Sequence, residues 1–191
     1  MIHNDATKTC GQVAGNWVDN LEPGDVVLFA DYPRYGDSDE LPEPSPHLVF
    51  SKHFIEDSTF AILTTGTSIS SPEQRPIDIH VAQAQAQALN AAGLTSPTSF
   101  NLHDRVIVCG DHEGYCLQPT GTAVIGKLAG EQLARLQAYR TQDRIQTNWK
   151  SCQWAAQHLF PRDASDLKAK RKWIIPIPYA VSEMAQSSTE I

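Results

Sequence analysis

Apolar positions in this chain change period several times, and each change marks an element. Val26-Val27-Leu28-Phe29-Ala30 is a continuous apolar run behind the turn-forming Leu21-Glu22-Pro23-Gly24-Asp25. Such a bounded run predicts a strand buried on both faces. Further strands are expected over 47–51 and over 60–65, the latter leading into Gly66-Thr67-Ser68. Ile77, Ile79 and Val81 alternate with polar residues, the period of a half-buried strand. The Ala/Gln-rich run at 82–92 favours a helix capped by Gly93, although its strict alternation also fits a strand.

Residues 105–109 and 115–119 predict a hairpin around Gly110-Asp111-His112-Glu113-Gly114. After Val124 the period lengthens: Ile125, Ala129, Leu133, Leu136 and Tyr139 recur at three to four, predicting an amphipathic helix over about 128–145. Val13, Trp17 and Val18 suggest a short helix near the start, and Trp149, Cys152, Ala156 and Leu159 another that stops near Pro161. Asp166 is placed to cap a short basic helix. Pro176 and Pro178 force residues 173–179 to be extended, and the missing proline donors restrict that segment to a sheet edge. Residues 31–46, acidic and proline-rich, predict a long loop. The last ten residues are expected to be disordered.

The pattern gives one domain of 21–145, preceded by a segment of 1–20 and followed by an extension of 146–191 that packs on it. An isolated core of about 45 residues would be marginal. The expected class is mainly β with helices: several short strands closed by a helix, a small barrel with helical caps.

Composition refines this only slightly. With 41% hydrophobic and 19% charged residues the 191-residue chain has the make-up of a packed globular protein. No apolar run approaches the roughly 18 residues of a membrane span, and the first residues lack a signal-peptide pattern, so the expectation is a cytoplasmic protein. Four scattered cysteines fit free thiols better than a disulfide framework. The net charge of −7 is uneven, with eleven acids against three bases in residues 1–60 and six against nine in 131–191. An acidic front opposes broad nucleic-acid binding, which needs a positive field.

Several segments, in order, resemble the PemK/MazF toxin family. They are Pro23-Gly24-Asp25-Val26-Val27, Ser45-Pro46-His47-Leu48-Val49-Phe50-Ser51, Thr64-Thr65-Gly66-Thr67-Ser68, Gly93-Leu94-Thr95-Ser96-Pro97-Thr98-Ser99-Phe100, and Val124-Ile125-Gly126-Lys127-Leu128 followed by a helix. The resemblance spans roughly 21–145. It implies an SH3-like barrel, often a homodimer, metal-independent cleavage of single-stranded RNA by many members, and an antitoxin partner. No cofactor or metal is implied.

Metal-free RNA cleavage needs a base, an acid and a cation that stabilises the phosphorane-like charge. The family's catalytic threonine corresponds to Thr67. Its catalytic arginine corresponds to Ser45, which is neutral and offers no guanidinium fork. Arg34, in the long loop, and His47, at the head of the second expected strand, are the candidates to compensate. Ser45, Ser68 and Arg105 are the candidates for substrate binding. Asp104 and Arg105 read either as a catalytic pair or as a surface ion pair. Cys109, His112 and Cys116 lack a fourth ligand and read as packed side chains, not a zinc site. Two functions follow: a divergent toxin-type endoribonuclease acting through Thr67, Arg34 and His47, or the same barrel without catalysis, binding RNA or a protein.

Overall fold

A computed structural model describes residues 9–10, 17–30, 43–55, 58–69, 78–141 and 174–177. The described residues are mainly β, with β1 Thr9–Cys10, β2 Asp25–Phe29, β3 Ser45–Ile55, β4 Ser58–Ser68, β5 Ile79–Val81, β6 Thr98–Cys109, β7 Cys116–Leu117, β8 Val124–Lys127 and β9 Ile174–Ile177. Two helices accompany them, α1 Ala86–Ala91 and α2 Gly130–Thr141, with a 3-10 turn at Val18–Asn20. Six strands form one curled antiparallel sheet, a half-barrel in the order β5-β6-β4-β3-β2-β8, and β9 adds to β6. Among the described residues no helix is long and apolar enough to cross a membrane.

Two cores lie on the two faces of this sheet. One gathers Val26, Leu48, Phe50, Ile62, Phe100 and Ile107 under Leu89 of α1 and Leu136 of α2. The other gathers Val27, Phe29, Val49, Leu63, Val106 and Val108 with Tyr115 and Leu117. Strand alternation explains the division, since neighbours such as Val26 and Val27 point to opposite faces. It also explains why β2 reads as an unbroken apolar run: all five of its residues are buried.

The half-barrel is closed beside β8 by a close approach of backbones. A Cβ on Gly126 would lie 2.3 Å from the Ala92 carbonyl carbon and 2.4 Å from the Gly93 nitrogen. Only glycine lets β8 and the end of α1 meet so closely. Gly93 ends α1 with φ +66°, the left-handed cap expected for it.

β6 is longer than the pattern suggested and it is bent. Gly66 pairs with Phe100 and Thr64 with Arg105, so β6 spends residues 101–104 in an excursion against Thr65 alone. Before the excursion β6 pairs with β5, and after it with β9. The expected hairpin of 105–109 with 115–119 does not form. β6 is flanked by β4 and β9 over Arg105–Val108, which leaves no edge for β7. The chain crosses instead to β2, where Phe29 bridges Tyr115 and the Ala30 amide donates to the Gly114 carbonyl at 2.8 Å, and β7 pairs with β1. Ser45 and Pro46, expected in the loop, open β3. β9 lies where the prolines required, at the side of β6. The expected helices over 149–160 and after Asp166, and the last ten residues, fall outside the described residues.

Candidate functional site

Of the candidate residues, Ser45, His47, Thr67 and Ser68 lie toward one end of the sheet, where β3 begins and β4 finishes. β3 pairs with β4 as far as His47↔Thr65, and Ser45 and Thr67 each lie two residues beyond that pair, on the same faces of their strands as His47 and Thr65. β4 pairs with β6 through Thr67↔Ser99, and β6 with β5 through Ser99↔His80. A polar row therefore crosses four strands: Ser45, Thr67, Ser99, His80. The Thr67 hydroxyl is exposed and donates to the Ser99 carbonyl at 3.4 Å. Ser68 beside it is exposed, and Ser45 is half-buried. Arg34 lies outside the described residues.

His47 shares the face of this row but not its access to solvent. Its side chain is 0% exposed. Nδ1 donates to the Ser45 carbonyl at 3.0 Å, which leaves Nε2 to accept from the Thr65 hydroxyl at 3.3 Å. The ring packs edge-on against Phe29 with centroids 5.4 Å apart. These contacts make it a hydrogen-bonded core histidine that fixes the start of β3.

Arg105 is not a surface residue. It is 2% exposed, on the α-helical face, with its guanidinium carbon 4.9 Å from the centre of the Phe50 ring, a cation–π contact. Asp104 beside it is exposed. The two are therefore not a pair lying on the surface: as neighbours in a strand they point to opposite faces, Asp104 outward and Arg105 inward.

The opposite side of the same strand ends carries a groove of about 690 Å³. Leu28, Pro44 and Pro46 form one wall, Leu94, Ser96 and Thr98 another, and Gln118, Pro119, Thr120, Val124 and Ile125 close it with Gly93 and Thr95. None of these thirteen residues is ionisable. A Cβ on Gly66 would stand 2.7 Å from the Pro46 carbonyl oxygen and 2.9 Å from Thr98 Cγ2, so the strands close tightly between groove and row.

The cysteines divide. Cys109 is a buried free thiol, and burial together with Asp111 pushes it up to about 12, which keeps it protonated and unreactive. Cys116 is disulfide-bonded, correcting the expectation of free thiols there. The β1–β7 register sets Cys10 opposite it. Such bonds persist in oxidising compartments and are rare in the cytosol. His112 is buried, its Nδ1 accepting from the Gly114 amide at 2.9 Å, a turn-fixing contact. Among the described residues no three His, Cys, Asp or Glu side chains gather as a metal site would require.

Asp78, His80 and Ser99 were passed over in the sequence. A signal was present, because Asp78-Ile79-His80-Val81 alternates polar with apolar and so puts both titratable groups on one face of a strand. No protein-family model matches this chain, and no curated protein matches it in sequence.

Proposed function

We propose that this chain is a divergent PemK/MazF-like, SH3-like barrel that binds a protein partner and does not cleave RNA. The groove beside the start of β3 receives an extended, uncharged polypeptide stretch, and an antitoxin tail is the partner the resemblance suggests. The observation that carries this reading is a groove of about 690 Å³ without one ionisable side chain. RNA binding draws on cations placed against phosphates, and a groove of prolines, aliphatics and hydroxyls supplies none. It suits a polypeptide, whose side chains meet Leu28, Leu94 and Ile125 while its backbone groups meet Thr95, Ser96 and Gln118.

A peptide library panned on the purified chain tests this. Uncharged sequences should be enriched, and Ile125→Glu, which puts a carboxylate into the groove, should weaken them by at least about tenfold. Enrichment that ignores the Glu substitution would reject the groove as the site.

The second reading, a metal-independent endoribonuclease, has one observation in its favour: the exposed Thr67 hydroxyl stands in a row with Ser45. Without a cation the loss in rate is roughly 10²–10³-fold. Single-stranded RNA incubated with the chain and a chelator should stay intact, and Ser45→Arg should confer cleavage if the rest of the machinery is present. Rapid, Thr67-dependent cleavage by the unmodified chain would overturn the binding reading. A homodimer, implied by the same resemblance, would appear in light scattering at twice the 21.0 kDa chain mass.

A further inference from the structure

We infer that a disulfide between Cys10 and Cys116 sets the shape of the groove, so that a chain folded under oxidising conditions binds its polypeptide partner and the same chain folded with its thiols reduced binds it more weakly. This rests on the groove reading above and adds to it a control by thiol chemistry.

Cys116 is disulfide-bonded and Cys109 is a free thiol. Of the remaining cysteines, Cys10 and Cys152, it is Cys10 that is the Cα partner of Cys116 in the antiparallel β1–β7 ladder. Directly opposed positions in such a ladder have Cα atoms about 4.5–5.5 Å apart, within the span a disulfide bridges. β1 and β7 are two residues each and form a sheet of their own. A ladder that short is marginal by itself, so the covalent bond is what keeps β1 on β7.

Cys116 stands directly behind the groove. It packs with Leu28, Ala30 and Ile125, and of these Leu28 and Ile125 line the groove. Two residues further on, Gln118 opens a tight turn in which the Gly121 amide donates to its carbonyl and its own amide donates to the Thr122 carbonyl, both at 2.8 Å. Gln118, Pro119 and Thr120 of this turn close the groove. A movement of β7 therefore reaches the groove by two routes, through the side chains of Leu28 and Ile125 and through the main chain to the turn. With the bond made, β7 is held by β1 and, just before it, by the Phe29↔Tyr115 bridge and the Ala30–Gly114 hydrogen bond. With the bond open, β1 no longer holds β7, and a ligand has to order the turn as it binds, which is subtracted from its affinity.

Both states of the sulfur are accommodated. Cys116 Sγ lies 3.7 Å from the Gly114 carbonyl, an acceptor in place for the S–H of the reduced form. Cys116 is 0% exposed, so the bond is made or missed while the chain folds, and the finished fold then shields it from thiolates. The oxidant is a small-molecule disulfide such as glutathione disulfide. One cysteine thiolate attacks it and releases one glutathione, the second cysteine attacks the mixed disulfide and releases the other, and the two protons and two electrons leave on those two thiols.

The chain refolded with glutathione disulfide and digested without reduction should give a Cys10–Cys116 cross-linked peptide in mass spectrometry, and a Cys116–Cys152 link overturns the proposal. NMR of the unliganded chain then reads the groove with no partner present. Cys10 is not among the groove-lining residues, yet in Cys10→Ser the signals of Leu28, Gln118 and Ile125 should shift and broaden, while those of Ile107 and Leu136 in the helix-side core stay in place. Affinity for a peptide selected by the panning above should fall at least about tenfold in Cys10→Ser, and equally in the parent refolded in dithiothreitol. Unchanged groove signals or unchanged affinity overturn the proposal. Where panning yields no peptide, the NMR comparison decides alone, so failure of the groove reading and failure of this one are told apart. Loss of the whole fold in Cys10→Ser and in the reduced parent alike would make the bond a general brace and overturn its local role.

Discussion

At the end of the half-barrel where β3 begins and β4 finishes, the same strands offer two chemistries back to back. Leu28, Pro46 and Thr98 face the groove, while Phe29, Ser45 and Ser99, each the next residue in sequence or the one before, face the polar row. The groove has no ionisable group, and the row holds Asp78 and His80. Because side chains alternate, a substitution on one side leaves the other side's lining unchanged, provided the shared backbone holds. The two sites can therefore be perturbed separately, and the tests below ask how far that separation reaches.

The largest effect should come from removing what the row rests on. Phe29 is wholly buried and touches the rings of His47, His112 and Tyr115 at centroid distances of 5.4, 5.2 and 5.0 Å. Phe29→Ala should cost about 3–5 kcal/mol in urea unfolding. Its neighbour Leu28 lines the groove, where loss of the side chain enlarges a space that is already open, so Leu28→Ala should cost nearer 2 kcal/mol. Equal losses would mean that the two faces are not energetically distinct.

Next in size is the groove's frame. Gly126→Ala drives a methyl into the Ala92–Gly93 backbone and should destabilise by about 1–3 kcal/mol. It should also weaken any groove ligand while leaving the NMR signals of Asp78 and His80 in place. A matched loss at both sites would break the comparison.

The smallest effect lies toward the far end of β3. Burial, and secondarily the charge of Arg140, pulls His53 down from 6.5 to about 4. The unfolded chain thus takes up a proton before the folded one does. Stability attributable to this group is intact above pH 6.5 and is lost as pH falls toward 4, and because the ring is partly exposed, solvent screening holds the slope well below that of a fully buried group. His53→Gln should flatten that slope, and urea midpoints across the range measure it.

Much of the frame was legible because burial dictates pattern. β2 announces itself as a continuous apolar run, α2 by its three-to-four period, and Gly93 by its place after the Ala/Gln run, which resolves as a helix. Pairing was not legible. Val106 and Val108 alternate correctly for a strand, but alternation says nothing of which neighbour fills an edge, and the Gly110–Gly114 turn misled by resembling a hairpin loop. The first half of β6, rich in Thr, Ser and Asn, resembles a loop in composition. The bond at Cys116 depends on a register that spacing does not reveal. In the site, Ser45, Thr67 and Ser68 were found through resemblance, and their common row is a product of pairing. His47 looked like an acid–base candidate because its neighbours across the sheet, Phe29 and Thr65, were unknown.

The excursion at 101–104 has a consequence for how this chain can change. Phe100 and Arg105 are five positions apart, an odd number, yet both lie on the helix-covered side of the sheet. Residues 101–104, with Leu102 buried in the helix-side core, absorb the mismatch, and the ladders on either side hold their registers independently. A residue gained or lost in β6 should therefore be borne best beside exposed Asp104, away from buried Leu102, where it need shift neither ladder. Lineages that diverge in length should differ here first, and a short peptide tag placed there gives a handle on a sheet strand that elsewhere has no room for one.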